Sequence, residues 1–280
     1  MRALSGNARL AGVIGWPIAH SRSPRLHGYW LERYGIDGAY LPFAVRPERL
    51  AAALAGLPAL GLRGINVTLP HKEAALGRCA RVTEAARRIG AVNTIVVTED
   101  GQLEGSNTDA FGFLAHLAAS LPGFRPEAGP AVLLGAGGAA RAIAVALLDA
   151  GVPELRLVNR TRERAEALSA VLGPRARLVD WGGRARALEG ATLLVNSTTL
   201  GMTGQPALDL DLTALPRAAV VYDIVYVPLE TPLLAAARAR GHPVVDGLGM
   251  LLHQARPGFA AWFGREPEVD SALRDFVLAG

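Results

Sequence analysis

Ala131-Val132-Leu133-Leu134-Gly135-Ala136-Gly137-Gly138-Ala139-Ala140 decides the fold of this chain. An apolar strand runs into a glycine-rich turn, and the turn opens an alanine-rich helix. Beyond it the rhythm is regular. A strand over 131–134 and a helix over 139–150 are followed by a strand over 155–158 and a helix over 162–171. Strands over 193–196 and 220–224, a helix over 232–240 and a short strand over 244–245 complete the series. Strands separated by helical stretches of this length predict βαβ units and a parallel sheet. The fold class is α/β, with a Rossmann-type doubly wound domain in this half of the chain.

The first half is less regular. Residues 10–15 read as a strand stopped by Gly15-Trp16-Pro17, and a helix starts at Ser23-Pro24, with Ser23 as N-cap and proline at its first position. Residues 39–45 form a strand whose Pro42 suggests a sheet edge. A helix over 50–60, a buried strand over 64–68 and a strand over 92–97, paired in a hairpin through Glu99-Asp100-Gly101, follow. The change of rhythm falls between Asp109 and Pro130. After Gly249 comes a helix carrying Phe259, Trp262 and Phe263, expected to pack back on the first domain and to be bent or interrupted at Pro257. The division is therefore residues 1–109 with 250–280, and residues 110–249.

The 280 residues suffice for two domains, and a chain half hydrophobic and 19% charged fits a packed globular protein. The net charge of +4 comes from dispersed arginines without a dense basic block. That argues against a nucleic-acid groove and suits a phosphorylated or carboxylated small ligand. The single cysteine, Cys79, excludes an internal disulfide and reads as a small half-buried side chain. A basic-then-apolar leader is missing from the N-terminus, and so is any apolar run of about 18 residues. A soluble cytoplasmic protein without a membrane or nucleic-acid partner is the expectation, as monomer or homodimer.

The stretch Gly135-Ala136-Gly137-Gly138-Ala139-Ala140 fits G-x-G-x-x-A. Its glycines permit a tight turn and let the backbone approach a pyrophosphate at the helix N-terminus, where unpaired N–H groups favour anions. At the end of the next strand a carboxylate would mark an NAD site. Here stands Asn159-Arg160-Thr161-Arg162-Glu163-Arg164. Arg160 and Arg164 can hold a ribose 2′-phosphate by charge-assisted hydrogen bonds, with Asn159 and Thr161 adding neutral groups and Arg162 pointing away. The expected cofactor is NADP.

Of 29 Lys+Arg residues only Lys72 is lysine. Arginine stays protonated at any accessible pH, whereas a lysine amine can give and take a proton, so the position kept as lysine is a candidate for acid–base work. It lies in Asn66-Val67-Thr68-Leu69-Pro70-His71-Lys72, one of three polar segments in apolar surroundings. The others are residues 17–24, with Ser21 and Ser23, and Gly105-Ser106-Asn107-Thr108-Asp109. With Ala91-Val92-Asn93-Thr94, the glycine turn, residues 159–164, Asn196 to Met202, Asp223 to Pro228, Thr231 to Leu234 and Asp246 to Ala255, they form an ordered set. That set resembles shikimate dehydrogenase.

The resemblance implies an N-terminal α/β substrate-binding domain, a Rossmann-type NADP-binding domain and a cleft between them. The reaction it implies is the reversible reduction of 3-dehydroshikimate to shikimate by NADPH, in aromatic amino acid biosynthesis. A ketone accepting hydride develops alkoxide character and needs a proton donor. Lys72 is the natural donor, and Asp109 would orient and tune it; which of the two moves the proton stays open. The resemblance further implies Ser21 and Ser23, with Tyr226 assisting, on the substrate carboxylate, and Thr68, Asn93 and Gln254 on its hydroxyls and ketone. Thr198, Ile224 and Gly247 join the cofactor set, together with Gly135, Ala136, Gly137, Gly138 and Ala139. Competing structural readings are helix N-caps for Ser23 and Asp109 and a turn residue for Asn93. His20, His71 and His253 lack metal-ligand spacing and read as local hydrogen-bonding groups. Ala110, Ser197-Thr198-Thr199 and Pro257 depart from the family pattern without removing a catalytic group. Two alternatives stand: a quinate/shikimate dehydrogenase, which would usually accept NAD and replace one serine, and a non-catalytic ligand sensor, which would lose Lys72 or Asp109.

Overall fold

The computed structural model describes residues 3–279. These residues form two compact units: one runs to Thr108 and takes up the chain again at Leu252, and the other is Asp109–Leu251. The change of unit thus falls one residue before the expected 109/110 boundary and two residues after the expected return at 250.

The first unit contains β1 (Arg9–Gly15), α1 (Ser23–Arg33), β2 (Gly38–Ala44), α2 (Leu50–Gly56), β3 (Leu62–Val67), α3 (Lys72–Leu76), β4 (Arg81–Val82), α4 (Glu84–Ile89), β5 (Thr94–Val97) and β6 (Leu103–Ser106). Its sheet has the order β2-β1-β3-β5-β6-β4, parallel across β2, β1 and β3 and antiparallel from β3 to β5 to β6. Pro42 does sit on an edge strand, where its missing N–H leaves no ladder bond unmade. Ile14, Leu54, Ile65 and Ile95 are essentially inaccessible and form the centre of this core.

The second unit begins with α5 (Asp109–Ser120) and continues through β7 (Ala131–Leu134), α6 (Gly138–Asp149), β8 (Leu155–Val158), α7 (Arg162–Leu172), β9 (Ala176–Val179), β10 (Leu193–Asn196), β11 (Val220–Asp223), α8 (Pro232–Ala239) and β12 (Val244–Val245). All six strands are parallel in the order β12-β11-β10-β7-β8-β9. Counted from β7, this is the doubly wound 3-2-1-4-5-6 order, whose switch point lies between β7 and β10. The central strands β7, β10 and β11 are buried on both faces, and alternate residues of the sheet divide between two cores. Leu133, Leu157, Val195 and Tyr222 pack on one side, and Val132, Leu134, Leu194 and Val221 on the other.

Helix α9 (Leu248–Phe263) returns the chain to the first unit, and α10 (Ser271–Leu278) follows. The Trp262 indole donates to the Ile95 carbonyl at 3.0 Å and passes so close to Gly64 that a Cβ there would lie 2.1 Å from the indole nitrogen. Only glycine fits. Helix α10 lies on α1, where the Trp30 indole donates to Glu268 and Arg22 to the Val277 carbonyl.

Three expectations need correction, and four short elements were not foreseen. The helix expected over 50–60 stops at Gly56, because Pro58 cannot continue the ladder. Ser23 is not an N-cap: it is the first residue inside α1, and the flanking Arg22 caps nothing with its side chain. Pro257 lies within α9 without interrupting it, since buried Phe259, Trp262 and Phe263 hold the turns around it. The helices α3 and α4 and the strands β4 and β9 had no counterpart in the sequence reading.

Candidate active site

In the first unit the polar segments gather at the carboxyl ends of β1 and β3. The Thr68 amide donates to Ile14 at 2.9 Å and the Trp16 amide to Leu69 at 3.1 Å, so the segments after these strands lie side by side. Ser21 accepts from the Ser23 amide at 3.3 Å. Ser23 is buried, near the hydroxyl of Tyr40, which donates to Asn66 Oδ1 at 2.6 Å. Burial pushes the Tyr40 phenol well above its usual range, with the Ser23 hydroxyl opposing, so it stays a neutral donor. Lys72 opens α3 half-buried, and its carbonyl accepts from the Val92 amide at 2.9 Å. Backbone pairing therefore places Lys72 beside the segment that carries Asn93.

Asn93 is the best defined of these residues. It is 2% exposed, and its Oδ1 receives Thr94 Oγ1 at 3.0 Å, the Thr108 amide at 2.9 Å and Thr108 Oγ1 at 3.2 Å. Three converging donors identify that atom as oxygen and fix the side-chain flip. The opposite end is then an NH₂ group, 3.5 Å from Gln254 Oε1 on α9. Asn93 presents a donor and Gln254 an amide beside it. A turn residue at a strand edge would not be buried in this way.

In the second unit Gly135 has φ +113°, a left-handed conformation, and a Cβ there would lie 2.6 Å from Ser197 Oγ. Gly137 and Gly138 have no atom within 4 Å of where a Cβ would stand, and no side chain caps α6. The first N–H groups of α6 thus have no side-chain partner, the arrangement that suits an anionic group at a helix N-terminus. Ala136 is buried and Ala139 half-buried. Beyond β8, Asn159 closes the turn by donating to the Thr161 carbonyl at 2.7 Å. Arg162 is paired with Glu166 and Asp180. Arg160 and Arg164 are exposed and form no ion pair among the described residues, so two guanidinium groups remain available for an anion.

Thr198 caps its own turn: its amide and hydroxyl donate to Asn196 Oδ1 at 3.1 and 2.7 Å, and its oxygen accepts from Leu200 at 3.1 Å. Ile224 and Tyr226 follow β11 half-buried, and Gly247 lies against Ile224. Asp109 is the first residue of α5, inside the helix and not flanking it, and it is 6% exposed. Its charge there complements the helix dipole. Sequence reasoning gave no role to Tyr40, Asn66, Thr94, Thr108, Asn196 or Asp223. A polar residue ending an otherwise buried strand, as Asn196 and Asp223 do, was the available signal.

A doubly wound sheet with an uncapped glycine turn and two unpaired arginines beyond the second strand fits the class of NADP-dependent oxidoreductases. Comparison with known proteins narrows the class. Residues 13–95 match the shikimate dehydrogenase substrate binding domain, and residues 247–274 match the shikimate 5'-dehydrogenase C-terminal domain. The chain is 63% identical over 276 residues to shikimate dehydrogenase (NADP(+)) of Paramagnetospirillum magneticum, covering 99% of this chain and 100% of the relative. The Thermus thermophilus shikimate 5-dehydrogenase, solved with NADP(H) and shikimate, aligns with a TM-score of 0.86 at 40% identity, covering 97% of this chain and 99% of that one. Quinate dehydrogenase from Corynebacterium glutamicum, solved with NAD, aligns with a TM-score of 0.90 at 34% identity, covering 98% and 99%. The chain belongs to the shikimate dehydrogenase family.

Proposed function

We propose that the chain interconverts 3-dehydroshikimate and shikimate, with NADPH as the reductant. The observation that carries the cofactor choice is the contrast among the three arginines after β8. Arg162 is neutralised by two carboxylates, while Arg160 and Arg164, on either side of it, are not. Bound NADPH supplies the hydride, and the chain's own groups do the rest. The open N-terminus of α6 holds the pyrophosphate, and Arg160 and Arg164 hold the 2′-phosphate. Thr198, Ile224 and Gly247 form the wall beyond β10 and β11.

The hydroxyls of Ser21 and Ser23 orient the substrate carboxylate without adding a permanent counter-charge, and Tyr226 assists. Thr68, Asn93 and Gln254 read the ring oxygens. Because the oxygen of Asn93 is saturated from behind, that residue reads as a pure donor and discriminates against an analogue lacking the matching hydroxyl. As the carbonyl carbon accepts hydride, its oxygen gains negative charge, and Lys72 and Asp109 are the proton-handling groups that complete the alcohol. In the reverse direction they receive that proton.

No helix among the described residues is long and apolar enough to cross a membrane. A cytoplasmic setting, as monomer or homodimer, belongs to this proposal. The test is a panel of shikimate and quinate, each with NADP and NAD, followed by the absorbance of reduced nicotinamide. Turnover concentrated in the shikimate–NADP pair supports the reading. Preference for quinate with NAD would assign the alternative dehydrogenase, and silence with every pair would leave a ligand sensor.

A further inference from the structure

One buried carboxylate has no part in the chemistry above. Asp223 ends β11 with no exposed surface, and three donors converge on it. Asn196 Nδ2 and the Val225 amide reach Oδ1 at 3.0 Å each, and Thr231 Oγ1 reaches Oδ2 at 2.7 Å. Each donor leads somewhere definite. Asn196 carries on its own Oδ1 both hydrogen bonds that shape the Thr198 turn. Val225 brackets Ile224 with Asp223, and its carbonyl accepts from Gly247 at 3.2 Å. Thr231 caps α8 through the Leu234 amide at 3.3 Å. The next residue after Asn196, Ser197, lies against Gly135 of the glycine turn.

We infer that Asp223 is a positioning residue for cofactor binding: through Asn196 and Val225 it sets the backbone that carries Thr198, Ile224 and Gly247. The inference rests on the proposal that these three residues line the NADP site. A carboxylate suits the place because every partner is a donor. Burial raises its proton affinity, but protonation would set a donor against donors already there. Asn in its place has the same shape and puts an NH₂ against one of those three donors.

The experiment compares wild type with Asp223→Asn, Asn196→Ala, Thr231→Val and Thr198→Val, each by calorimetric NADP titration, KM for shikimate and thermal unfolding. Asp223→Asn should weaken NADP binding about tenfold, the consequence of leaving buried donors unmade, while KM for shikimate moves about twofold or less. Asn196→Ala, which keeps the carboxylate but removes one of its donors and the acceptor of the Thr198 turn, should reproduce most of that loss and stands in if Asp223→Asn does not fold. Thr231→Val removes the Oδ2 donor together with the cap of α8, and should lower the melting temperature while leaving NADP affinity within about twofold, since both Oδ1 donors, the ones that lead to the site, stay in place. Variants that melt early but bind NADP as wild type does would overturn the positioning role. So would a Thr231→Val protein that loses NADP as Asp223→Asn does, because the effect would then be general loosening. Thr198→Val tests the underlying site reading separately: unchanged NADP affinity there would remove Thr198 from the site, and Asp223 could not act through it.

Discussion

Lys72 differs from the 29 − 1 = 28 arginines of the chain in what its charge can do. A guanidinium orients anions but does not release a proton in water's range, whereas an ammonium does. Lys72→Ala should therefore lower kcat by about 10²–10⁴, the usual worth of general acid–base help, with a smaller change in KM. Lys72→Arg should not restore it, although the positive charge is kept. Steady-state kinetics on both variants decides the matter; a collapse of KM with kcat intact would make Lys72 a binding residue only. Asn93 offers a second measurement. Asn93→Asp keeps an oxygen for the donors of Thr94 and Thr108 but turns the far NH₂ into an acceptor. KM for shikimate should rise about tenfold or more while the melting temperature changes little. An unchanged KM would mean that Asn93 faces no substrate oxygen.

The turn between β8 and α7 makes its own prediction. Arg160→Ala and Arg164→Ala should each raise KM for NADP about tenfold, in line with loss of a charge-assisted hydrogen bond, and leave any turnover with NAD unchanged. Arg162→Ala should not, since its guanidinium is held by Glu166 and Asp180. Parallel kinetics with the two cofactors is the check; equal losses with NAD would show that the arginines serve the fold and not the 2′-phosphate. The same turn shows how far the sequence could be read. β7 and β10 stand where their apolar runs placed them, because strands buried on both faces leave continuous hydrophobic signatures. β4 has two residues and α3 five, too few to express any period, and their places are set by partners distant in the chain. Motif residues such as Gly135 and Lys72 were visible one by one. The donors behind Asn93 and the hub at Asp223 were not, since a polar residue ending a buried strand announces burial but not its partners. Ser23 was misread for a related reason: a serine before proline carries the same local signal whether it caps a helix or faces a buried phenol.

For the chain as a whole, a buried histidine makes stability depend on acid. His27 is wholly buried on α1, its ring stacked on Tyr40 with centroids 3.9 Å apart, and neither nitrogen finds a partner among the described residues. Burial lowers its pKa from 6.5 to about 3, because nothing there compensates a charged imidazolium. The unfolded chain therefore binds a proton below pH 6.5 that the folded chain refuses until about pH 3. Where the unfolded state holds more protons, stability rises with pH, so this contribution is complete above 6.5 and is lost as the pH falls. The slope is at most about 1.4 kcal/mol per pH unit for one such group. His253, half-buried and lowered to about 4 by burial and then by Arg256, adds in the same direction and sense. Asp223 acts oppositely, since its raised pKa favours the protonated, acidic condition. His27→Phe keeps an aromatic ring against Tyr40 and removes both unpartnered nitrogens. Chemical denaturation of this variant at neutral pH should show stability equal to or above wild type. Between pH 6.5 and about 4 it should lose less stability than wild type, by up to one proton's worth of slope. Superimposable acid limbs would mean that His27 reaches solvent and protonates without unfolding the first unit.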